Sequence, residues 1–186
     1  MDNNQQAKIR AVKRLVLAHI TFQQVIAACD FLTSHNSDEQ AQFYGIFFSG
    51  ICVSYMRPFM SADQIGSLPS DYSTFPHNPE HAQTHEDLKN GRNWAYAHNS
   101  PAQAAGLLAD ARRQEEQKKI RLVVRSNGIT FNPPEVTWPK SRLHAIVLLC
   151  RFQIERVKCD LSDLVKHLCE GKNYKDGEYI IGETFP

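Results

Sequence analysis

The sequence has no pair of cysteines spaced as C-x-x-C, and its five cysteines lie far apart along the chain. An odd number of scattered cysteines indicates neither a disulfide framework nor a cysteine zinc site, and it favours reduced thiols in a cytosol. An excess of one charge is missing as well, because 21 Lys and Arg nearly balance 20 Asp and Glu. This balance excludes a protein that coats nucleic acid through overall basic charge, but it allows a local basic patch.

Long hydrophobic runs are also missing. The most apolar run, residues 43–56, is shorter than the roughly 20 residues that span a membrane. Residues 1–10 lack the charged, then apolar, then small pattern of a secretory signal. We therefore expect the run to be a buried core helix, and the protein to be soluble, cytoplasmic and without a membrane partner.

Apolar residues make up 42% of the 186 residues, which is enough to form the core of a single domain spanning 1–186. They recur at steps of three and four through most of the chain, as in helices. With cap and proline signals at their ends, the predicted helices cover about residues 5–34, 38–57, 79–98, 100–117 and 139–170. Residues 60–78 show no periodicity and are predicted to form a loop with a functional role or mobility.

Two packing features accompany these helices. Gly45 and Ser49, one turn apart, are expected to let a neighbouring helix approach the second helix closely. The last helix carries an apolar seam with steps of four and three, which is interpreted as core, with a dimer contact as the alternative. The seam comprises Leu143, Val147, Cys150, Ile154, Val157, Leu161, Leu164 and Leu168.

One stretch has a β pattern. Residues 119–125 are rich in Ile, Leu and Val and are predicted to form a first strand. Asn127-Gly128 is a favoured two-residue hairpin turn, and residues 129–131 are predicted to form the second strand. The predicted fold is therefore all-α, an antiparallel helical bundle with a small β-hairpin insertion at 119–132.

The third helix carries the main candidate residues for catalysis or binding. His81, His85, Leu88, Arg92 and Ala95 fall on one stripe of it. Because Arg and His are costly to bury in a dry core, we expect this stripe to face a cleft or a partner. Arg92 and His98 are six positions apart, about 9 Å along an ideal helix and roughly 120° around it. A second copy of the chain would bring nearer partners for a ligand that both side chains share.

The segment Arg92-Asn93-Trp94-Ala95-Tyr96-Ala97-His98 resembles the motif of the HEPN domains, an arginine followed by a polar residue and, four to six residues after the arginine, a histidine. Leu88 and the ending from Ala97 to Ser100 are also typical of that motif. The resemblance covers the chain apart from the hairpin at 118–133. It implies a metal-independent endoribonuclease, without a cofactor, of a bacterial toxin–antitoxin or antiviral defence system. It also implies a homodimer with two motif copies in one cleft, an RNA substrate, and an antitoxin or defence-system partner protein.

Carried over by residue, the resemblance makes Arg92, Asn93 and His98 catalytic. Arg92 would hold and polarise the scissile phosphate, and Asn93 would orient the phosphate or the histidine. His98 would act as general acid or base while a ribose 2′-hydroxyl attacks. These roles suit the residue types, because histidine moves protons near neutral pH and a guanidinium grips phosphate oxygens with two parallel donors.

The sequence departs from the family's pattern at one position, and the family also offers one alternative function. Members that a partner nucleotidyltransferase modifies carry tyrosine two residues after the histidine, whereas Ser100 stands here. Regulation by that modification is therefore not implied. Other members have lost activity, so the alternative is a catalytically inactive HEPN-like module that binds nucleotide, RNA or a protein.

Further residues have two interpretations each. Trp94 and Tyr96 would stack on bases or pack between helices. Arg121 and Arg125, in a basic cluster from 112 to 125, would contact the RNA backbone or form an ordinary solvated surface. His81 and His85, four residues apart on a helix, are a metal pair only as a minor alternative.

Overall fold

The computed structural model describes residues 3–34, 38–61, 65–97, 121–125, 128–132 and 140–169, and the side chains of 4–34, 46–61, 65–93 and 140–167. These residues are mostly helical, which confirms the all-α class. The helices are α1 (Asn3–Ser34), α2 (Asp38–Met56), α3 (Pro79–Ala97) and α4 (Lys140–Cys169), and short 3-10 turns occupy Arg57–Phe59 and Ser70–Ser73. The predicted helix at 100–117 lies outside the described residues.

Local signals set the start of α3. Pro79 is its first residue, and the Asn78 side-chain oxygen accepts a hydrogen bond of 3.0 Å from the backbone N–H of His81. A capping side chain of this kind satisfies one of the amide groups that the first turn leaves without a helical partner. The predicted cap and proline pair is confirmed.

Aromatic contacts show that α1 and α2 run in opposite directions. Phe22 of α1 lies beside Tyr55 of α2, with ring centroids 5.7 Å apart, and Phe31 lies beside Phe47 at 5.5 Å. Later residues of α1 therefore meet earlier residues of α2. The most extensive helix contact in the described structure is between the long helices α1 and α4.

The seam of α4 lies in the core, so its interpretation as a dimer contact is wrong. Five of its residues are buried, and Leu161 and Leu164 are partly buried against the same core. The buried seam residues are Leu143, Val147, Cys150, Ile154 and Val157. The core also contains three of the cysteines, Cys29, Cys52 and Cys150, as small buried side chains.

Residues 65–78, which we call the strap, pack on the bundle. Leu68, Tyr72 and Phe75 of the strap are buried. The Tyr72 hydroxyl donates a hydrogen bond of 2.7 Å to Asp160, and Gln153 donates one of 2.8 Å to the Tyr72 carbonyl oxygen. The predicted loop therefore closes one side of the core and is tied to α4.

Two strands are described between α3 and α4. β1 (Arg121–Arg125) pairs antiparallel with β2 (Gly128–Asn132), and Arg125 is opposite Gly128. The predicted turn at Asn127-Gly128 is therefore shifted by one residue, because Gly128 already pairs in β2.

One described helix, Asn4–Ser34, is long and apolar enough to cross a membrane. Its most apolar window is 33% buried in the protein. A single such helix is weak evidence of location, because the core helix of a soluble protein passes the same test.

Candidate functional site

Arg92 and Asn93 lie in the last turns of α3, and the helix ends at Ala97, directly before His98. Arg92 is half-buried and Asn93 is exposed. The Arg92 Nη1 donates a hydrogen bond of 3.0 Å to the Asn93 side-chain oxygen. Asn93 therefore contacts the guanidinium of Arg92, and its predicted role, to orient the phosphate or the histidine, stays a prediction.

The other predicted site residues are described in part or not at all. His98 lies outside the described residues, one position beyond the end of α3. Trp94 and Tyr96 belong to the last turn of α3, and Arg121 and Arg125 are the two end residues of β1. Their side chains are outside the described set, so base stacking and backbone binding stay predictions.

Gly91, the residue before Arg92, lies at a close contact between α3 and α2. A methyl group at Gly91 would come within 2.5 Å of the Cys52 sulfur and 3.3 Å of Phe48. Real side-chain carbons essentially never lie this close to another atom, so only glycine fits without movement. This contact holds the helix against the core one residue before Arg92. The close approach expected at Gly45 and Ser49 is a different contact, and it stays a prediction because the surroundings of residue 45 lie outside the described side chains.

The stripe through His85 and Leu88 faces the core of its own chain, which corrects the expected cleft or partner contact. His85 is 3% exposed and Leu88 is fully buried. The Tyr55 hydroxyl lies 2.8 Å from Nδ1 of His85, and the rings of Phe59 and Phe75 lie 4.9 and 5.5 Å from the imidazole. Burial of the imidazole is tolerated because a hydroxyl from another helix pairs with it. These two residues are therefore not available for a dimer contact.

The buried setting changes the acid–base behaviour of this pair. Burial raises the pKa of Tyr55 well above its ordinary value, so the hydroxyl keeps its proton and can donate a hydrogen bond to Nδ1 of His85. Burial also lowers the pKa of His85 below its ordinary 6.5; nearby Glu86 opposes this shift, and Lys89 adds to it. Both effects favour a neutral His85 bonded to a protonated Tyr55.

The free energy of unfolding should therefore fall as the pH drops below 6.5, since the unfolded chain then binds a proton that His85 in the folded chain resists. Urea unfolding at pH 7.5 and 5.5 measures this difference in the free energy of unfolding. The difference should be smaller in His85→Gln than in the wild type. His144→Gln, at an exposed histidine on α4, is the matched control and should keep the wild-type difference. An unchanged difference in His85→Gln would contradict the assignment to His85.

An ion pair between Arg142 of α4 and Asp87 of α3 fixes the position of α3 against α4. Asp87 is 8% exposed and also accepts a hydrogen bond of 2.9 Å from Gln83. A buried carboxylate needs such partners. The sequence offered no signal for this pair, because Asp87 and Arg142 are far apart in the chain.

His81 contacts aromatic rings, and its ring lies 5.1 Å from that of Phe152. Among the residues that the structure describes, no group of three or more His, Cys, Asp or Glu side chains is arranged to hold a metal ion.

Comparisons with protein-family models, with curated proteins and with solved structures found no match to this chain.

Proposed function

We propose that this protein is a metal-independent endoribonuclease of a bacterial toxin–antitoxin or antiviral defence system. The observation that carries the proposal is the contact between Arg92 and Asn93 near the end of α3, directly before His98. The same proposal makes the chain one HEPN-like domain with a β-hairpin insertion at 119–132, located in the cytoplasm. Its partners are RNA, a second copy of the chain, and an antitoxin or defence-system protein.

The helix packing supports the use of Arg92 as a phosphate-binding group. Gly91 holds α3 against α2, and the pair of Asp87 and Arg142 holds it against α4. A guanidinium on such a supported helix is positioned before substrate arrives, so little ordering is needed when the phosphate binds. Asn93 restricts the same guanidinium through its side-chain oxygen.

The proposed reaction uses the RNA as its own nucleophile. The 2′-hydroxyl loses its proton to a base and attacks the adjacent phosphorus, while the bond from phosphorus to the 5′-oxygen breaks. The leaving oxygen takes a proton from an acid. His98 performs one of these proton transfers, and His98 of a second copy in the same cleft would perform the other. Arg92 stabilises the charge that grows on the phosphate oxygens.

Cleavage should leave a 2′,3′-cyclic phosphate or a 3′-phosphate on one fragment and a 5′-hydroxyl on the other. These ends follow from internal attack by the 2′-hydroxyl. Purified protein is incubated with RNA, and the new 5′ ends are tested for labelling by polynucleotide kinase without prior phosphatase treatment. Fragments that carry a 5′-phosphate would contradict the mechanism, because attacking water and a metal ion typically leave that group.

The second candidate is an inactive binding module with the same fold. The observation that favours it is a set of large apolar side chains exposed on α1 and α2, among them Leu17, Ile20 and Ile46. Exposed apolar patches typically mark interaction surfaces. A module would bind RNA or a protein and leave the RNA intact, which separates it from the enzyme.

A further inference from the structure

One face of α1 points away from the core and carries exposed residues along most of its length. We call it the outer face. Its members are separated by three, four or seven positions, which places them within about 80° of one another around an ideal helix. All are exposed: Arg10, Lys13, Leu17, Ile20, Gln24 and Phe31. The opposite side of α1 is buried in the core and includes Leu15, Phe22 and Cys29.

Large apolar side chains occupy the outer face and continue onto α2. Leu17, Ile20 and Phe31 are 48%, 43% and 41% exposed. Phe31 contacts Phe47 of α2, and Ile46 beside it is 70% exposed. The most apolar window of α1 is only 33% buried in the protein. Exposed apolar patches of this kind mark interaction surfaces in soluble proteins.

The sequence around the outer face is basic. Residues 3–29 contain four Lys or Arg and no Asp or Glu, and residues 40–60 contain one Arg and no acid. The one carboxylate of α1 is Asp30, which lies about 100° around the helix from Phe31. No acidic side chain of α1 therefore lies on the outer face.

Three exposed cations are available to a partner at this surface. Arg10 and Lys13 lie on the outer face, and Arg57 lies in the turn that packs on α1. None of the three forms an ion pair within the described part of the chain. The surface therefore combines large apolar side chains with positive charge, and it fits a partner that is both apolar and anionic.

We propose that the outer face binds the surface of an anionic phospholipid bilayer. Leu17, Ile20 and Phe31 enter the boundary between headgroups and acyl chains, and Arg10 and Lys13 pair with anionic headgroups. Helices that lie in a membrane surface combine an apolar face with basic residues in this way. Because its other side is part of the core, α1 lies on the bilayer and does not span it.

The position of α1 in the bundle keeps this contact apart from the candidate catalytic residues. α1 packs mainly on α4 and α2, and α3 packs on the same two helices, so α1 and α3 lie on opposite sides of the bundle. Anionic lipids are concentrated on the cytoplasmic side of membranes, which agrees with the proposed location. The expected lack of a membrane partner rested on the missing spanning run and secretory signal, and a surface contact needs neither.

The breadth of the apolar surface favours a bilayer over a partner helix or RNA. A partner helix would cover one row of residues on α1, whereas the exposed apolar surface extends to Ile46 of α2. RNA would pair with Arg10 and Lys13 but would leave the large apolar side chains in water. A bilayer surface covers both helices and supplies both kinds of contact.

Vesicle flotation tests this proposal. The wild type should float with vesicles of phosphatidylserine and phosphatidylcholine in equal parts, and it should not float with phosphatidylcholine alone. Ile20→Glu should weaken binding at least about tenfold, because it places a carboxylate at the acyl boundary of an anionic surface. Leu148→Glu, at a similarly exposed apolar residue of α4, is the matched control and should float like the wild type.

Arg10→Gln with Lys13→Gln should weaken binding to the same vesicles by about ten- to thirtyfold, because each cation near an anionic surface adds to the attraction. The matched control is Lys140→Gln with Arg151→Gln, which removes two exposed cations of α4 and should bind like the wild type. Circular dichroism shows whether each variant stays folded. RNA cleavage in solution is measured in parallel and should be the same in Ile20→Glu as in the wild type, so the membrane contact and the enzyme are tested separately.

Three results would overturn the membrane contact. The first is a wild type that does not float with phosphatidylserine, including one that instead binds an acidic amphipathic peptide through Ile20. The second is equal flotation with phosphatidylcholine alone, which would remove the role of anionic lipid. The third is an equal loss of binding in a variant and its α4 control, which would show that the outer face is not the surface that binds.

Discussion

Alanine at Arg92 or at His98 should lower the rate of RNA cleavage by about 10²–10⁴-fold, because each change removes one group that acts only on the reacting phosphate or its protons. Expression of either variant should also relieve the growth inhibition that the wild type causes. Initial rates on a labelled RNA, with growth curves at matched expression, measure both effects. Circular dichroism and melting temperature show whether the variants stay folded.

Two further variants separate chemistry from charge. Arg151→Ala removes an exposed arginine of α4 and should keep wild-type activity. Arg92→Lys keeps the charge but loses the two parallel donors of the guanidinium, so its activity should lie between wild type and Arg92→Ala. Wild-type rates and toxicity in Arg92→Ala and His98→Ala would contradict the assignment of both residues.

Gly91→Ala should destabilise the protein by about 1–3 kcal/mol, although alanine is the better helix former. The reason is the 2.5 Å distance from the added carbon to the Cys52 sulfur, which forces α3 away from α2. Urea unfolding of both proteins measures the free-energy difference. The double variant with Gly91→Ala and Cys52→Ala lacks the sulfur. It should therefore lose less stability than the two single variants lose together.

Gly50→Ala is the matched control for this prediction. Apart from the neighbouring backbone of α2 itself, no atom in the described structure lies within 4 Å of a carbon added at Gly50, which is inside α2. The change should therefore stabilise the protein by up to about 1 kcal/mol through helix propensity alone. Equal stability of Gly91→Ala and Gly50→Ala would contradict the close contact between α2 and α3.

The sequence predicted those parts of the fold that local signals control. Asn78 and Pro79 identified the start of α3 because a cap and a first-turn proline act within a few residues. The seam from Leu143 to Val157 identified the buried side of α4, since three- and four-residue spacing depends only on helix geometry. Neither prediction needed knowledge of what the helix packs against.

The missed features all depend on partners that are distant in the chain. His85 was expected to avoid the core, but the hydroxyl that pairs with it comes from Tyr55, 30 residues earlier. Gly91 carried no special signal, because its role follows from Cys52 on another helix. Such pairs depend on how the helices are arranged, and periodicity along one helix does not contain that information.

The candidate site also combines contacts between neighbouring residues with contacts between residues distant in the chain. The pairing of Arg92 with Asn93 joins neighbouring residues, and the motif already placed both on the same helix. The support beneath Arg92, from Gly91 and from the ion pair of Asp87 with Arg142, became visible only in the folded chain. The approach of His98 to Arg92 stays a prediction.

Purified wild-type protein and Arg92→Ala, incubated side by side with a mixed RNA sample in EDTA, test the proposed activity. The wild type should cut the RNA without a divalent ion, and Arg92→Ala should leave it intact over the same period. Intact RNA with the wild type, in EDTA and in magnesium alike, would contradict the enzyme and leave the binding module. Equal cleavage by both proteins would contradict the role of Arg92.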